Sequence, residues 1–463
     1  MPIVHQQRRY LGLAATLLAV LGADLARAQV PEPTPRPDIP ADEKDFEGLS
    51  SLSLGSGARA LGMGGAFLAR ADDATAASWN PAGLSYLRRT EISLVGARSA
   101  FSKRRSGASD RLTGYAPDFA AATFPVESAS GNVSGAFQVS FQRVFSFSGE
   151  RTIERRDEGG ALASVFETTS RGGFDVLAMG TGLKLRGNLR LGVTVNHWFA
   201  GYSQERSKEA GRRIQVQDID YDLSARNYNL GLIWSPVESM NLGVIGKTAF
   251  TGNLTLTRNR INCFGDPCTE ENRTQNQARD SSLRLHIPGA FGAGVSWRPR
   301  SPLTLSADYT VTFWSKGRIH NFFLIAAQLP GQAAPEPESY DSLPYPTLGD
   351  EKGQLDSQQL RLGGEYVVIR GRLKLPLRVG YFTDRQYFRS AGTLDAEGKD
   401  QGDGKAPTLH GLTGGIGVLV GPFLLDAAYV YERGTYVDAE SRTQATTTTQ
   451  RIFLSVIYRH GSN

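Results

Sequence analysis

The sequence predicts an all-β protein: a 14-stranded antiparallel transmembrane β-barrel with an N-terminal hatch, or plug, inside the barrel. Three observations predict this fold. Apolar and polar residues alternate with a period of two through much of the chain after residue 88. Short and long connections alternate between these segments, which is typical of barrels with tight turns at one end and loops at the other. A compact, glycine-rich segment precedes the first of them.

Residues 1–28 have the features of a signal peptide. Two arginines precede an apolar run over residues 11–21, and the Ala-Arg-Ala sequence of residues 26–28 provides small residues for cleavage. The run is far shorter than the roughly 20 apolar residues of a spanning helix, so we expect export rather than a membrane anchor. Residues 29–45 contain five prolines and are predicted to form a stiff, extended N-terminal extension.

Composition excludes several classes of function. With 52 glycines, 4 methionines and 40% hydrophobic residues among 463, the chain resembles neither a helical membrane protein nor a leucine-rich helical enzyme. Three arginines and one aspartate of the leader contribute +2 of the formal net charge of +5, and the remaining +3 is too small to indicate nucleic-acid binding. The histidines are scattered and no G-x-S-x-G motif occurs, so we do not expect an enzyme.

The two cysteines, Cys263 and Cys268, are separated by four residues that include a Gly-Asp-Pro turn. In an exported protein we expect them to close a small disulfide loop. Two thiolates are only half of a zinc site, and no other Cys or His lies near them in sequence. We therefore predict neither a metal ion nor a cofactor.

Period-two alternation defines the barrel strands. In residues 188–199, for example, apolar Leu189 and Leu191 alternate with Arg190 and Gly192. The pattern predicts strands at 89–101, 117–125, 132–149, 172–186, 188–203, 216–235, 240–257, 281–298, 302–320, 355–370, 372–388, 407–421, 422–434 and 446–459. Fourteen is an even number, as single-chain bacterial barrels require. Long polar connections are predicted at 203–215, 257–281, 321–354, 385–407 and 434–446.

The apolar face of a membrane barrel contacts lipid, so the polar face should point into the lumen. A shift of one residue would place arginines in lipid, at roughly 2–4 kcal/mol each near the midplane. The charged residues predicted to face inward are Arg190, Asp308, Arg361, Glu365, Lys374, Arg378, Asp384 and Asp426. The glycines predicted to face inward, and to leave room for something inside, are Gly192, Gly243, Gly292, Gly294, Gly363, Gly380, Gly415 and Gly417. The aromatic residues near strand ends, predicted to form interfacial girdles, are Trp198, Phe199, Tyr202, Trp297, Trp314 and Tyr458.

Residues 46–88 are predicted to form the hatch, which leaves 89–463 for the barrel. Glycines permit close packing and positive φ angles in this segment. A short helix is expected over residues 74–79, and it should end at Asn80 because a residue that precedes proline avoids the helical region. The residues assigned to the hatch and its gate are Gly55, Gly57, Arg59, Gly62, Gly64, Asn80, Pro81, Ala82 and Gly83.

The stretch GARALGMGGAFLARADDATAASWNPAGL at residues 57–84 resembles the N-terminal hatch of the FadL/TodX family of outer-membrane transporters for hydrophobic compounds. The Asn-Pro-Ala element at residues 80–82 is part of this resemblance, and strand stretches from Ile287, Leu360, Pro376 and Leu412 are also similar. The resemblance implies passive uptake of long-chain fatty acids or hydrocarbons. Ligand would be captured by external loops, pass the hatch-gated lumen and leave sideways at a kink in the third strand, which we place at Gly135 or Gly149.

A fatty-acid carboxylate would need an inward cation in an apolar pocket, and the candidates are Arg361, Arg378, Lys247 and Lys316. For each of them an internal charge network or a charged loop is the favoured interpretation, and a neutral hydrocarbon needs no cation. We expect a monomer in the outer membrane of a Gram-negative bacterium, in contact with outer-membrane lipid and lipopolysaccharide and with a hydrophobic small-molecule ligand. The alternative is a FadL-like barrel that acts as a surface shuttle or assembly protein, as in type IX secretion. An open porin is disfavoured by the hatch.

Overall fold

The computed structural model describes residues 55–106, 108–127, 134–146, 148–156, 159–185, 188–199, 201–210, 213–263, 273–324, 338–344, 354–371, 373–391, 404–438 and 442–460. The predicted signal peptide, the extension at 29–45, and residues 46–54 of the predicted hatch lie outside these ranges. Cys263 ends a strand, is buried and is not a free thiol. Cys268 is outside the described residues, so its pairing with Cys263 stays a prediction. No helix in the described ranges is long and apolar enough to cross a membrane.

One antiparallel sheet of twenty strand segments closes on itself, because β1 pairs with both β2 and β20. The segments are β1 Glu91–Arg105, β2 Ala108–Glu127, β3 Ser134–Ser146, β4 Gly149–Arg156, β5 Leu162–Lys184, β6 Leu189–Phe199, β7 Gly201–Ala210, β8 Arg213–Val237, β9 Met240–Lys247, β10 Phe250–Cys263, β11 Arg273–Ile287, β12 Ala290–Arg300, β13 Leu303–Thr312, β14 Arg318–Leu324, β15 Glu338–Pro344, β16 Ser357–Arg370, β17 Leu373–Arg385, β18 Thr408–Val420, β19 Phe423–Val437 and β20 Gln444–Arg459. Helices α1 Ala58–Gly62 and α2 Ala76–Trp79 precede the sheet, together with a 3-10 helix at Pro81–Tyr86. A second 3-10 helix, Trp314–Lys316, separates β13 from β14.

These segments form fourteen barrel strands, since six of the strands consist of two segments each. β2 pairs with β3 and then with β4, so β3 and β4 together form the third strand. The same relation joins β6 with β7, β9 with β10, β11 with β12, β13 with β14, and β15 with β16. The predicted closed, antiparallel barrel of fourteen strands is therefore confirmed.

The two ends of the barrel have different connections. We call the end at which β1 begins and β20 ends the base, and the opposite end the rim. Two-residue turns join β8 to β9, β12 to β13 and β18 to β19 at the base. At the rim, β7 and β8 remain paired as far as Ala210 and Arg213, so the predicted long polar connection at 203–215 is wrong. Beyond the membrane both faces of a strand contact water, so alternation disappears while backbone pairing continues.

Apolar side chains cover the outside of the barrel and polar side chains line its inside. Leu94, Val379 and Leu412 are between 60% and 69% exposed on the outer face. Of the eight charged residues predicted to face inward, seven are at most 9% exposed. Lys374 is the exception and is exposed at the base, where β17 begins. The apolar outer face identifies the surface that contacts membrane hydrocarbon.

Two of the predicted girdle residues point into the lumen instead. Trp198 and Trp314 are 5% and 0% exposed. Trp198 shares the inward face of β6 with Asn196, and its indole nitrogen donates a hydrogen bond to Asn227 Oδ1 at 2.8 Å. Proximity to a strand end does not decide which way a side chain points, because the two-residue period of the strand does. Trp297 is 49% exposed on the outer face of β12, as a girdle residue should be.

Candidate functional site

Residues 55–87 lie inside the barrel and are almost entirely buried. We call this segment the hatch. Its backbone contacts strands on several sides of the lumen: Pro81 lies against Gly192 of β6, Leu68 against Gly243 of β9, and Gly64 against Leu362 of β16. These contacts place residues 55–87 within the ring of strands. That the segment acts as a gate stays a prediction.

Left-handed glycines and one proline shape the hatch. Gly57 and Gly64 have φ angles of 106° and 69°, which side chains rarely permit, so α1 and the turn that follows it need glycine. Helix α2 ends before Asn80, which is extended at φ −151° and ψ 108° as expected for a residue that precedes proline. The indole nitrogen of Trp79 donates to the Ser56 carbonyl at 2.7 Å and joins the two ends of the hatch.

Asn80 connects the hatch to the barrel wall. Its Oδ1 accepts a hydrogen bond from Ala82 N at 3.1 Å, which caps the following 3-10 helix. Its Nδ2 lies within hydrogen-bonding distance of three carbonyl oxygens, those of Leu68 at 2.9 Å, Leu232 at 3.2 Å and Val244 at 3.3 Å. The last two belong to β8 and β9, so one side chain joins the hatch to two neighbouring strands.

Inward-facing glycines make room for the hatch backbone. A Cβ atom on Gly192 would lie 2.2 Å from the carbonyl carbon of Pro81, and one on Gly380 would lie 2.1 Å from Gly64 N. Both distances are far below van der Waals contact, so a side chain at either position would displace the hatch or the strand. The glycines that meet hatch atoms in this way, which we call the glycine belt, are Gly182, Gly192, Gly231, Gly243, Gly363, Gly380 and Gly415.

A buried charge network also attaches the hatch to the wall. The Glu365 carboxylate on β16 forms ion pairs with three arginine guanidinium groups. The nitrogen-to-oxygen distances are 2.5 Å for Arg70 of the hatch, 2.8 Å for Arg378 of β17 and 3.4 Å for Arg59 of the hatch. Arg378 also reaches Asp426 on β19 at 2.6 Å. Buried charges need partners of this kind, because desolvation of an unpaired ion is costly.

The environment of the two hatch arginines differs. Burial disfavours the charged form of Arg59, but Asp72 and Glu365 outweigh burial, and the pKa of Arg59 is raised above its ordinary value. Burial dominates at Arg70 and lowers its pKa. Arg59 also has a partner within the hatch, since Asp72 Oδ1 lies 2.7 Å from its guanidinium.

Two further wall residues bind the hatch backbone directly. Asp308 Oδ2 accepts hydrogen bonds from the backbone nitrogens of Phe67 at 2.6 Å and Leu68 at 2.8 Å. Arg361 donates to the carbonyl oxygen of Gly64 at 2.9 Å. The sequence predicts that Asp308 and Arg361 face inward. It does not predict that they bind the hatch backbone.

The four cations predicted to receive a carboxylate are not brought together. Arg361 and Arg378 are engaged with the hatch and with Asp426, as described above. Lys247 is partly buried at the end of β9. Lys316 is exposed beside the Phe313 ring, 5.7 Å from its centroid. The arrangement does not single out one of them as a ligand-binding residue.

On the rim side of the hatch, apolar side chains from several strands pack together in one sector of the lumen, while charged residues such as Asp384 and Glu432 are buried in another sector. On β5, Gly180 and Gly182 contact the hatch, while Phe174 and Val176 lie nearer the rim and are at most 4% exposed. They belong to a group that we call the lumen cluster: Phe145, Phe174, Val176, Ala178, Trp198, Leu223, Ala225, Phe250, Leu254, Leu283, Leu285, Ile287, Trp314, Ile319 and Tyr387. Sequence reasoning missed this group, although Phe174, Val176 and Ala178 make the inward face of β5 apolar and so provide a signal.

The third strand is interrupted beside the lumen cluster. Its pairing with β2 stops at Phe119 and Gln142 and resumes at Thr113 and Glu150, and residues 114–118 have no partner there among the described residues. The third strand thus has seven residues opposite five of β2. Gly149, with a φ angle of 155°, lies at this interruption. The other predicted kink position, 135, lies within the regular ladders of β3.

These features define a class: a transmembrane β-barrel of fourteen antiparallel strands that holds residues 55–87 of its own chain among its inward side chains. A family model described as BamG matches residues 46–327, and the chain belongs to the BamG family. No curated protein matches the sequence.

Solved structures of similar fold are hydrocarbon and FadL-type barrels. A Pseudomonas aeruginosa FadL homologue is 14% identical with a TM-score of 0.57, and the match covers 87% of this chain and 98% of that one. The toluene transporter TbuX of Ralstonia pickettii is 16% identical, with a TM-score of 0.54 and coverage of 88% and 99%. The toluene transporter TodX of Pseudomonas putida is 13% identical, with a TM-score of 0.53 and coverage of 88% and 98%. At these identities the similarity establishes the fold.

Proposed function

We propose that this protein is a passive channel of the Gram-negative outer membrane that takes up hydrophobic small molecules. The single observation that carries the proposal is the lumen cluster, a packed apolar and aromatic group on the rim side of the hatch, inside a barrel whose inner wall also carries many buried polar and charged residues. A barrel that passes polar solutes does not need an apolar surface inside its lumen. It is the surface that an apolar solute would contact on its way from the rim to the hatch.

The interruption of the third strand supports a sideways exit. Phe145, a member of the lumen cluster, lies on this strand where its pairing with β2 is lost. Each CH₂ group that moves from apolar surroundings into water costs about 0.8 kcal/mol, so release of a long hydrocarbon chain through the base into water is unfavourable. Exit between the second and third strands into lipid avoids this cost.

The arrangement favours recognition by apolar surface over recognition by charge. Arg361 and Arg378 are bound to the hatch and to carboxylates, which reduces their availability for a ligand carboxylate. We therefore propose hydrocarbons and the hydrocarbon chains of fatty acids as the ligand class. The solved toluene transporters and the FadL homologue of the same fold support this choice.

The proposal is tested by uptake into vesicles with lipopolysaccharide in the outer leaflet. The full chain should carry labelled oleate or toluene inward faster than empty vesicles do. Ala225 lies in the lumen cluster, and Ala225→Asp should reduce uptake by about tenfold or more, because an ionised carboxylate there is costly to desolvate.

Ser224→Asp is the matched control. Ser224 is the adjacent residue and is exposed on the outer face of β8, near Asp222, which is also exposed. This variant should transport as the unchanged protein does. If neither compound enters faster than in empty vesicles, or if both variants behave alike, the channel proposal is wrong.

A further inference from the structure

One sector of the outer face is basic at the rim. Pairing across the sheet places Arg433 of β19, Thr448 of β20, Ser102 of β1 and Arg111 of β2 in one row. Arg104 lies two residues nearer the rim than Ser102 on the same outer face. Arg104, Arg111 and Arg433 are all exposed. The row spans three strand spacings, or about 14 Å.

The membrane side of this row is apolar and aromatic. The row directly below contains Leu412 on β18 and Tyr431 on β19, which are paired. Arg98 lies below the row on β1, donates to the Tyr115 hydroxyl at 3.0 Å and stacks 5.6 Å from the Tyr115 ring. The arginines are therefore at the upper boundary of the apolar band, at the depth of lipid headgroups.

No carboxylate faces outward at the rim on the six strands of this sector, although the next strand, β4, carries outward Glu150 and Glu154 opposite Thr113 and Ser109. On the rim half of β17 to β20, β1 and β2, the outward residues other than the arginines and His410 are apolar, hydroxyl-bearing, amide or glycine residues. The acidic side chains of these strands, such as Asp384 and Glu432, are buried inside. The outer face of β8 on another side of the barrel differs, since Asp220 and Asp222 are exposed there.

The three rim arginines lack protein partners. Arg104, Arg111 and Arg433 make no ion pair or side-chain hydrogen bond with another residue in the described part of the chain. By contrast, the inward neighbours Lys103 and Arg105 both pair with Asp438, at 2.6 and 2.9 Å. An exposed arginine in this setting has its guanidinium donors available to an external anion.

We propose that this sector, defined by Arg104, Arg111 and Arg433, binds the phosphorylated headgroup of an outer-leaflet glycolipid, the chemistry that lipopolysaccharide presents. Guanidinium groups form short, charge-assisted and often bidentate hydrogen bonds with phosphate. Arginines at the two ends of the row can engage two phosphates of one headgroup, while the hydroxyl residues between them face its sugar and the apolar band below faces its acyl chains. The site is independent of transport through the lumen.

The test uses the purified full chain in detergent, titrated with diphosphorylated lipid A, dephosphorylated lipid A and inorganic phosphate, with bound lipid measured by native mass spectrometry. Diphosphorylated lipid A should bind in preference to the other two, and added salt should weaken it. The combined variant Arg104→Gln, Arg111→Gln and Arg433→Gln should reduce its affinity by about tenfold or more.

The control is a variant in which exposed arginines on other strands of the outer face are replaced by glutamine. Arg226 of β8 and Arg284 of β11 are exposed on other outer-face strands, and Arg226→Gln with Arg284→Gln should leave lipid A binding unchanged. Heat-dependent gel mobility shows whether each variant is a folded barrel. Three results would overturn the proposal: equal binding of dephosphorylated lipid A by the unchanged protein, displacement by millimolar phosphate, or equal losses in the two sets of variants.

Discussion

Glu365 of the barrel wall forms ion pairs with two arginines of the hatch. It is 3% exposed, and three arginine side chains surround its carboxylate, two from the hatch and one from β17. Removing one partner from a buried ion pair costs about 3–5 kcal/mol, because the remaining charges stay desolvated. The attachment of the hatch should therefore be sensitive to this one carboxylate.

Neutralising this carboxylate should loosen the hatch. In Glu365→Gln, Arg59 and Arg70 lose their shared partner on the wall, and we expect the hatch to be less stably docked by about 3 kcal/mol. Hydrogen exchange of the backbone amides of residues 58–73 measures this change directly, and brief ion currents in planar bilayers should accompany it.

The matched control is an exposed pair at the rim. Glu154 lies 3.5 Å from Arg156, and both side chains are about half exposed. Because exposed ion pairs contribute about 1 kcal/mol or less, Glu154→Gln should leave hatch exchange and current unchanged. Unaltered exchange in Glu365→Gln would show that the glycine belt and the backbone contacts hold the hatch without the charge network.

Among the elements, the third strand departs most from a regular barrel. Seven of its residues lie opposite five of β2, so the two strands cannot remain paired through this region. Its pairing with β5 continues on the other side, with register shifts between Arg143 and Phe145 and between Arg155 and Arg156. The loss of pairing with β2 borders the lumen cluster at Phe145. A second break lies between β13 and β14, where residues 313–317 lie opposite three residues of the neighbouring strand.

If ligand leaves through the seam between β2 and the third strand, a photoactivatable fatty acid should label it preferentially. Peptides that contain residues 114–118 and Phe145 should carry several-fold more label than peptides of β17 and β18, whose pairing is continuous from Arg385 to Leu377. Tandem mass spectrometry of the reconstituted, illuminated protein measures the ratio. Labelling that is uniform around the lipid-facing wall would argue against a sideways exit here.

In the whole molecule, the barrel and the hatch depend on different interactions. The barrel closes through backbone pairing of β1 with β20 and needs no hatch residue for that closure. The hatch has no sheet of its own and is held by the belt, by Asn80 and by the charge network. Loss of the hatch should therefore open the lumen without unfolding the wall.

Deleting residues 29–84 while retaining the signal peptide tests this division. We expect a folded barrel with a steady ion conductance in planar bilayers, where the complete chain is closed. Heat-dependent gel mobility checks the fold. A deletion variant that folds and still passes no current would mean that residues 55–84 do not close the lumen.

Much of this architecture could be predicted from local patterns. Alternation at residues such as Leu191 and Arg190 predicts both the strand and its two faces, because a lipid exterior imposes the same period everywhere. The Asn-Pro pair at 80 and 81 predicts the end of α2, since the restriction before proline is local. The assignment of Trp198 to a girdle is wrong because it relied on the position of Trp198 near a strand end. The two-residue period of the strand places this side chain on the inward face.

The sequence by itself determined the period, the count of strands and the inward position of most of their charges, since each follows from neighbours along the chain. Only the tertiary structure decided that Glu365 meets two hatch arginines, that Gly192 admits Pro81, and that apolar side chains from many strands meet on the rim side of the hatch. The two-residue alternation along a strand determines whether a residue faces the lumen or the outside. Its depth and its partners depend on the register between distant strands, and that register is set when the barrel closes.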